Sequence, residues 1–297
     1  MKTMTLPGGE HAVLALHGLL GNPLEMRYLG KRLQQAGYTV HIPLIDGYGY
    51  AAGAGTSLRT NHYDAWYAEV VRQFDALKAR YTTVSVTGLC IGAVLALRLA
   101  AERGNEIAAV SLLATTLAYD GWSLPWYRFL LPLVYYTPWR RFYAYQERHP
   151  YGVKNQKLQR WIGRDMAAHG SSAAGAARLS GEAVFQAHRL IRQVRKQLAQ
   201  VHTPALIIHA EEDDMASTRS ADLVESRISS IDCRKRILHD SYHIITLDNE
   251  KDIVADETVA FFDRHAHRLA APPRAVAVPR PAATVLAEAF GGAAVLP

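Results

Sequence analysis

Residues 84–100 read VSVTGLCIGAVLALRLA. An apolar run leads into GLCIG at residues 88–92, and an apolar, helix-forming segment follows directly. The order of strand, tight turn and helix is typical of a nucleophile elbow, G-x-S-x-G, which exposes the residue between its two glycines. The stretch therefore predicts an elbow in which Cys90 takes the place of the usual serine.

Both glycines have a steric role in this prediction. The turn is so tight that a side chain at Gly88 or Gly92 would collide with neighbouring backbone. We expect the turn to lift Cys90 out of the sheet and to place it at the N-terminus of a helix, where the partial positive charge favours an anion. For a thiol, such an environment increases the thiolate fraction near neutral pH.

Composition places the chain among ordinary globular proteins. Its 297 residues are 49% hydrophobic and 20% charged, which fits one large α/β domain with a cap. The only cysteines are Cys90 and Cys233, so we expect free thiols and a reducing, cytoplasmic compartment. Residues 1–7 lack the apolar core of a signal peptide, and no apolar run is long enough to span a bilayer. The net charge of +6 permits an anionic partner without identifying one.

Strand and helix candidates alternate on both sides of the elbow. The predicted strands are 12–17, 38–44, 83–87, 107–114, 204–210 and 233–239. The predicted helices are 24–36, 63–79, 91–103, 182–200, 218–229 and 250–267. This alternation favours a parallel sheet with helices on both faces. The Gly-rich residues 46–60 are predicted to form a loop.

Residues 117–163 differ from the rest, because aromatic side chains crowd there among arginines and lysines. We expect a cap over the site, either a small helical subdomain packed by its aromatics or an apolar acyl-binding tunnel with a basic rim. The two descriptions are compatible. The predicted division is a core of 1–116 and 201–269, a helical cap and return helix over 117–200, and a flexible Ala/Pro-rich tail over 270–297.

A cysteine nucleophile needs a base, an orienting acid and donors for the oxyanion. The turn HGLLG at residues 17–21 follows the first predicted strand and would lie beside the elbow. The backbone N–H groups of Leu19 and Ile91 would then form the oxyanion hole. His17 is expected to brace this loop and not to transfer protons, because the site needs only one base.

The acid candidates follow strand 204–210 in EEDD, residues 211–214. A solvated acidic loop is the simplest interpretation of this run, but one or two of its members can face the base. We favour Asp213, with Asp214 as the second choice. The base candidate is His243, in the predicted loop between the last strand and the last helix, whereas His239 lies at a strand end.

With these motifs in place, the chain resembles bacterial α/β-hydrolases of the carboxylesterase and monoacylglycerol-lipase group. The resemblance covers about 12–115 and 204–265, and four motifs carry it: LHGLLGN from 16, GLCIG from 88, AEEDDM from 210 and SYHIITLD from 241. It implies an α/β-hydrolase fold with a mainly parallel sheet, flanking helices and a helical cap insertion.

The resemblance also implies roles for particular residues. In that group the acid lies three residues beyond the small residue that ends its strand, which implies Asp213. The histidine follows a Ser-x pair, which implies His243. The oxyanion donors of the group fall on Leu19 and Ile91, and the order of nucleophile, acid and histidine is that of the fold.

Cys90 departs from the family pattern, which has serine at this position. Three interpretations stay open. The chain is a native cysteine enzyme, as the cysteine elbows of dienelactone hydrolases and polyhydroxyalkanoate synthases illustrate; or serine has been replaced to trap a complex; or the site is degenerate and only binds.

A native cysteine would bias the substrate. An S-acyl enzyme is itself a thioester, so its formation from an ordinary ester is uphill, whereas its formation from a CoA or carrier-protein thioester is nearly neutral. The same stored energy lets the acyl group pass to an alcohol or amine as well as to water. The basic cap residues would suit an anionic CoA or an acidic acyl carrier protein, although a solvated basic face explains them as simply.

The sequence thus predicts an enzyme that cleaves a carboxylic ester or thioester with Cys90, His243 and Asp213 as its catalytic triad. It predicts no metal or organic cofactor, a small-molecule acyl substrate, no nucleic-acid partner and no integral-membrane segment. An acyltransferase that uses a thioester donor is the first alternative. A non-catalytic acyl-binding module is the second.

Overall fold

The computed structural model describes residues 2–49, 60–125, 130, 137, 140 and 144–266. The strands within these residues are β1 (Met4–Leu6), β2 (His11–Leu16), β3 (Thr39–Ile42), β4 (Thr83–Leu89), β5 (Val110–Leu113), β6 (Ala144–Gln146), β7 (Ser171–Ser172), β8 (Gly175–Ala176), β9 (Arg178–Ser180), β10 (Ala205–Ala210) and β11 (Cys233–Leu238). The α-helices within them are α1 (Arg27–Gln35), α2 (Tyr63–Lys78), α3 (Ile91–Arg103), α4 (Gln156–His169), α5 (Gly181–Gln197), α6 (Arg219–Arg227) and α7 (Lys251–Ala266).

A seven-stranded sheet in the order β1-β3-β2-β4-β5-β10-β11 organises the molecule. Only the pair of β1 and β3 is antiparallel, and every other neighbouring pair is parallel. Strand β4 is buried along its whole length, as expected of a central parallel strand covered on both faces. Leu16 pairs with Gly88, and Leu89 pairs with Leu113, so β2, β4 and β5 end at the same edge of the sheet.

Helices cover both faces of the sheet and bury two apolar clusters. On one face, α2, α3 and α5 contribute Trp66, Phe74, Leu95 and Leu190 to the first cluster. On the other face, α1 and α7 contribute Leu29, Leu33, Phe261 and Phe262 to the second cluster. The elbow stands between these two layers, so its position is fixed by packing on both sides.

The alternation read from the sequence is confirmed, with boundaries shifted by a few residues. Helix α1 begins at Arg27, after a 3-10 turn over Pro23–Met26, where we predicted one helix from residue 24. Strand β1 was not predicted, because three residues are too few to show an alternating pattern. It pairs with β3 at the edge of the sheet.

The insertion between β5 and β10 is more than helical. Its described residues hold α4, α5 and two small antiparallel sheets, β6 with β9 and β7 with β8. Helix α5 packs in the same cluster as α2 and α3, and a 3-10 turn follows it at Leu198–Gln200. Trp122 and Trp161 are 58% and 45% exposed, so these two aromatics do not build a packed cap interior.

Some predictions fall outside the described residues. These are most of the cap aromatics, the larger part of the predicted loop 46–60 and the predicted tail over 270–297. The division into core, cap and tail therefore stays a prediction. Among the described helices, none combines the length and the apolar character needed to cross a bilayer.

Candidate active site

Cys90 lies in the sharp turn between β4 and α3. Its φ of +57° and ψ of −120° place it in a region that side-chain-bearing residues rarely occupy. A Cβ atom on Gly88 would lie 2.3 Å from the carbonyl oxygen of Gly92, and one on Gly92 would lie 2.5 Å from the carbonyl oxygen of Leu16. The prediction that both positions need glycine is thus confirmed. The N–H of Cys90 donates to the carbonyl oxygen of Leu113 at 2.9 Å.

The thiol of Cys90 is half-buried and contacts a hydroxyl group that the sequence did not reveal. Its Sγ lies 3.4 Å from Oγ1 of Thr116, a fully buried residue just beyond β5. The same hydroxyl lies 3.3 Å from the carbonyl oxygen of Ala114, which can only accept. While Cys90 is a thiol, the Thr116 hydroxyl donates to that carbonyl and accepts from the thiol; when Cys90 is a thiolate, the hydroxyl rotates to donate to the sulfur.

The structure brings the predicted acid and the predicted base together. Nδ1 of His243 lies 2.9 and 2.8 Å from the two carboxylate oxygens of Asp213 and donates to them. Asp213 follows β10, and the N–H groups of Met215 and Ala216 both donate to its Oδ1 at 2.8 Å. Both members of the pair are buried, with 2% and 6% of Asp213 and His243 exposed.

Electrostatics make this pair an ion pair. Burial opposes a charged imidazole, but Asp213, followed by Cys90, outweighs it and raises the pKa of His243 well above its usual value. Burial likewise opposes a charged carboxylate, yet His243 and then His209 hold the pKa of Asp213 below its usual value. Cys90 contributes to the raised pKa of His243 through its charge and a side-chain hydrogen bond, so the imidazole lies beside the sulfur of the elbow.

The other candidates near the acid have different positions. Oδ1 of Asp214 accepts the backbone N–H of His243 at 3.2 Å, so Asp214 holds the loop of the base and not its imidazole. Burial raises the pKa of Asp214. His239 contacts Glu211 at 2.7 Å, with its side chain 74% exposed.

One carboxylate joins the His243 loop to the inserted segment. Asp248 accepts backbone N–H groups from Lys154, Asn155 and Tyr242, at 2.6, 2.9 and 2.8 Å. The N–H of Ile244 also donates to the carbonyl oxygen of Gly152 at 2.7 Å. The base is therefore positioned by contacts with the inserted segment as well as by Asp213.

The turn after β2 leaves one N–H group free. The N–H of Gly18 donates to Oε2 of Glu25 at 2.8 Å, that of Leu20 to the carbonyl oxygen of Tyr48 at 2.9 Å, and that of Gly21 to the carbonyl oxygen of Gly18 at 3.0 Å. Within the described part of the chain, the N–H of Leu19 has no acceptor. The N–H of Ile91, at the first position of α3, has none there either, as expected at a helix start.

His17 fixes the peptide that carries the free donor. Its Nδ1 lies 2.8 Å from the carbonyl oxygen of Gly18, and that carbonyl shares a peptide unit with the N–H of Leu19. Burial lowers the pKa of His17 to about 4, so the ring is neutral near pH 7 and donates through Nδ1. The hydroxyl of Tyr48 donates to the carbonyl oxygen of His17 at 2.7 Å. These contacts support a bracing role for His17.

Three polar residues of the site were missed in the sequence. The burial of Glu25 could have been predicted, because Glu25 precedes Leu29 and Leu33 at intervals of four and so shares their buried helix face. Tyr48 lies in a Gly-rich loop and Thr116 beyond a strand end, where no periodicity distinguishes a buried polar group. Their roles depend on contacts between segments that are distant in the sequence.

A family model and two relatives match most of this chain. The model of the family described as Serine aminopeptidase, S33 matches residues 9–252. A carboxylesterase of Bacillus subtilis (strain 168) is 24% identical over 269 residues, which cover 89% of this chain and 96% of that protein. A thermostable monoacylglycerol lipase of Bacillus sp. (strain H-257) is 28% identical over 258 residues, which cover 87% of this chain and 92% of that protein.

Solved structures show the same fold. A soluble variant of monoglyceride lipase from Saccharomyces cerevisiae, in complex with a substrate analogue, superposes with a TM-score of 0.75 at 13% identity and covers 89% of this chain and 91% of that chain. A structure from work on LipS and LipT, two metagenome-derived lipolytic enzymes, gives a TM-score of 0.73 at 22% identity, with 89% and 98% covered.

Proposed function

The chain belongs to the α/β-hydrolase family described as Serine aminopeptidase, S33, and from this membership we propose that it hydrolyses carboxylic esters or thioesters through Cys90. The names carboxylesterase and monoacylglycerol lipase, borne by two relatives, support ester hydrolysis. One observation carries the proposal: a buried Asp213–His243 pair at 2.8 Å, whose imidazole has its pKa raised in part by the elbow residue Cys90.

In the proposed mechanism, Nε2 of His243 has already taken the thiol proton of Cys90, and the resulting thiolate attacks the acyl carbon. Asp213 keeps the imidazole oriented and stabilises its charged form. The N–H groups of Leu19 and Ile91 donate to the oxyanion, and each such donor contributes about 3 kcal/mol to transition-state stabilisation.

The intermediate then collapses. The bond from the acyl carbon to the leaving group breaks, and the leaving group takes the proton from Nε2 of His243. A water molecule next gives a proton to the same nitrogen and attacks the S-acyl carbon; the bond from that carbon to sulfur breaks, which releases the acid and restores the thiolate of Cys90 beside the charged imidazole.

Cysteine favours activated acyl donors, because an S-acyl enzyme forms from a thioester with little change in free energy. Charge supports the same substrate class. Lys157, Arg160 and Arg164 are exposed on one face of α4 and, among the described residues, form no ion pair with an acidic side chain. An anionic CoA or an acidic acyl carrier protein is therefore a proposed donor. A working thiol also supports a reducing, cytoplasmic location.

An acyltransferase is the second candidate, and Cys90 is the observation that favours it. The S-acyl enzyme keeps enough free energy to acylate an alcohol or an amine. In that case the proposed chemistry of Cys90, His243 and Asp213 is unchanged, and the acceptor replaces water in the second half of the reaction.

The test is to incubate the purified full chain with p-nitrophenyl butyrate and, separately, with butyryl-CoA. Intact mass and product release are measured together. We expect a butyryl adduct on Cys90 and its release as butyrate. Cys90→Ala should lose both, whereas Cys233→Ala is the matched control and should keep both.

The outcomes separate the candidates. A lasting adduct without release would favour an acyltransferase that lacks its acceptor. Tight binding of butyryl-CoA with no adduct would favour an acyl-binding module. Full turnover by Cys90→Ala would refute the proposed nucleophile, and a large gain in ester hydrolysis by Cys90→Ser would identify cysteine as the altered state.

A further inference from the structure

Glu25 is a buried carboxyl group beside the site that the proposed triad does not use. Its residue is 3% exposed, and its Oε2 accepts the N–H of Gly18 at 2.8 Å. Gly18 directly precedes Leu19, the proposed oxyanion donor. A Cβ atom on Gly18 would lie 3.2 Å from Oε2 of Glu25 and 3.5 Å from Cβ of Cys90. The carboxyl group is thus close to both the nucleophile and the oxyanion loop.

The surrounding backbone leaves room for this side chain. A Cβ atom on Gly21 would lie 2.1 Å from Oε1 of Glu25, and one on Gly175 would lie 3.4 Å from the same oxygen. Asn22 caps the turn that carries Glu25, because its Oδ1 accepts the N–H of Leu24 at 3.0 Å. Its Nδ2 also donates to the carbonyl oxygen of Ser172 at 2.9 Å. These contacts hold the carboxyl group against the loop.

Among the titratable groups that face Glu25, His243 carries a positive charge, but burial outweighs its effect on the pKa of Glu25. These groups are Tyr48 on the loop after β3, Cys90 at the elbow and His243 on the loop after β11; His17, which contacts the carbonyl oxygen of Gly18, is neutral near pH 7. Among the described residues, no lysine or arginine forms an ion pair with Glu25. Burial raises the pKa of Glu25 to about 7, although the N–H of Gly18 and the charge of His243 oppose the shift.

We propose that Glu25 is a positioning residue that works as a neutral carboxylic acid, which holds the Gly18–Leu19 segment in place. The proposal rests on the proposed function, because it requires the N–H of Leu19 to bind the oxyanion. When Glu25 ionises, its negative charge opposes the developing charges on the sulfur and on the oxyanion, since screening is weak in a buried site. Activity should therefore fall as Glu25 loses its proton.

The test compares wild type, Glu25→Gln and Glu25→Ala across a range from about pH 5 to about pH 9. The readout is kcat/KM for p-nitrophenyl butyrate. Glutamine keeps an acceptor for the N–H of Gly18 and cannot ionise. We expect wild type to decline above about pH 7, E25Q to lack that decline while keeping kcat near pH 6 within about threefold, and E25A to lose about tenfold in kcat at every pH.

Glu147 provides the matched control. Burial also raises its pKa to about 7, and it also acts on His243, yet its hydrogen bond is to the backbone of Arg148 and not to the oxyanion loop. Glu147→Gln should keep the decline above about pH 7. A profile of E25Q that superposes on that of wild type, or loss of the decline in E147Q alone, would overturn the proposal.

A second readout separates this proposal from the proposed function. The rate of iodoacetamide labelling of Cys90 against pH needs no substrate turnover. If Glu25 ionises beside the sulfur, E25Q should label severalfold faster than wild type at about pH 8. Equal labelling rates would refute the role of Glu25 even if ester hydrolysis is observed. A difference in labelling without hydrolysis would sustain the effect on Cys90 and count against the proposed reaction.

Discussion

At the scale of single residues, Cys90 is held by its backbone, and its chemistry depends on two neighbours. The hydrogen bond from the N–H of Cys90 to the carbonyl oxygen of Leu113, together with the flanking glycines, fixes the position of the sulfur. Thr116 contacts the sulfur on one side, and His243 carries a charge that Asp213 maintains. A change at either neighbour should alter reactivity while the position of the sulfur is preserved.

Thr116→Val should lower kcat/KM about fivefold, because a thiolate at Cys90 loses a hydrogen-bond donor that contributes about 1 kcal/mol. The measurement is the hydrolysis of p-nitrophenyl butyrate. Thr115→Val is the matched control, because the Thr115 hydroxyl is buried and has no partner among the described residues. Equal losses in the two variants would show that Thr116 acts only through packing.

The two cysteines should differ in reactivity. Burial raises the pKa of Cys233 to about 11, whereas Cys90 lies beside a histidine that is held in its charged form. We expect iodoacetamide to modify Cys90 at least about tenfold faster than Cys233 near neutral pH. Peptide mass mapping measures the ratio, and His243→Ala should reduce it. Comparable labelling rates at Cys90 and Cys233 would contradict a charged His243 imidazole beside the sulfur of Cys90.

Much of the site could be predicted because its residues belong to short motifs. Cys90, His243 and Asp213 each follow or flank a predicted strand at a recognisable spacing. The remaining polar residues could not be found this way. Thr116, Tyr48 and Glu25 gain their roles only when the loops after β5, β3 and β2 come into contact. A single sequence does not show which loops are in contact.

At the scale of secondary-structure elements, β4 and α3 meet so closely that the turn accepts only glycine at its two ends. The atoms nearest to a Cβ at Gly88 are backbone atoms of Gly92 and Ala93, which cannot rotate away. Relief of this contact would require β4 and α3 to separate. Even a methyl group at Gly88 would therefore disturb the packing of β4 against α3.

Gly88→Ala should lower the free energy of unfolding by about 3 kcal/mol, because the added methyl group overlaps fixed backbone. Urea unfolding followed by circular dichroism measures the change. Gly163→Ala is the matched control. Gly163 lies inside α4, where a Cβ atom would meet the ring of Tyr151 at 3.3 Å, so the change should stay within about 1 kcal/mol. Similar losses in both variants would contradict the steric account.

The predictability of the elements followed their length. Strands of four residues or more, and every described α-helix except α4, were located by periodicity and apolar runs; α4 was expected only as part of the helical cap. The short strands β6 to β9 were missed, because two or three residues form a strand only when a partner lies beside them. The inserted segment depends on such local pairings, and its character was correspondingly harder to predict than that of the sheet.

At the scale of the whole molecule, the parallel sheet collects the site at one edge. The segments after β2, β4, β5, β10 and β11 carry Leu19, Cys90, Thr116, Asp213 and His243. The carboxyl ends of parallel strands meet at one edge, which is where open α/β sheets bind their ligands. The fold was predictable because strand and helix alternate along most of the chain. The arrangement of the inserted segment over that edge was not predictable from this alternation.

Stability should depend on pH through Glu25. In the folded chain this carboxyl group keeps its proton up to about pH 7, whereas the unfolded chain releases it above the ordinary value of 4.5. The stabilisation is therefore complete below that ordinary value and is lost as the pH rises toward 7. Relative to Glu25→Gln, the free energy of unfolding of wild type should fall by about 3 kcal/mol across this window.

Urea unfolding of both proteins at several pH values tests this expectation. Other groups, such as His17 and Glu147, titrate alike in the two proteins, so their contributions cancel in the difference. Parallel curves for wild type and E25Q would show that Glu25 is charged in the folded state. That result would also remove the basis for a neutral carboxyl group beside the oxyanion loop.

The geometry of the elbow allows serine and cysteine to replace each other at position 90 during evolution. Glycines and main-chain hydrogen bonds position the residue at 90, so the scaffold does not depend on which atom ends that side chain. Serine and cysteine codons can differ by a single base. One point mutation could therefore exchange oxygen for sulfur and redirect the enzyme toward different acyl donors, without any intermediate that fails to fold.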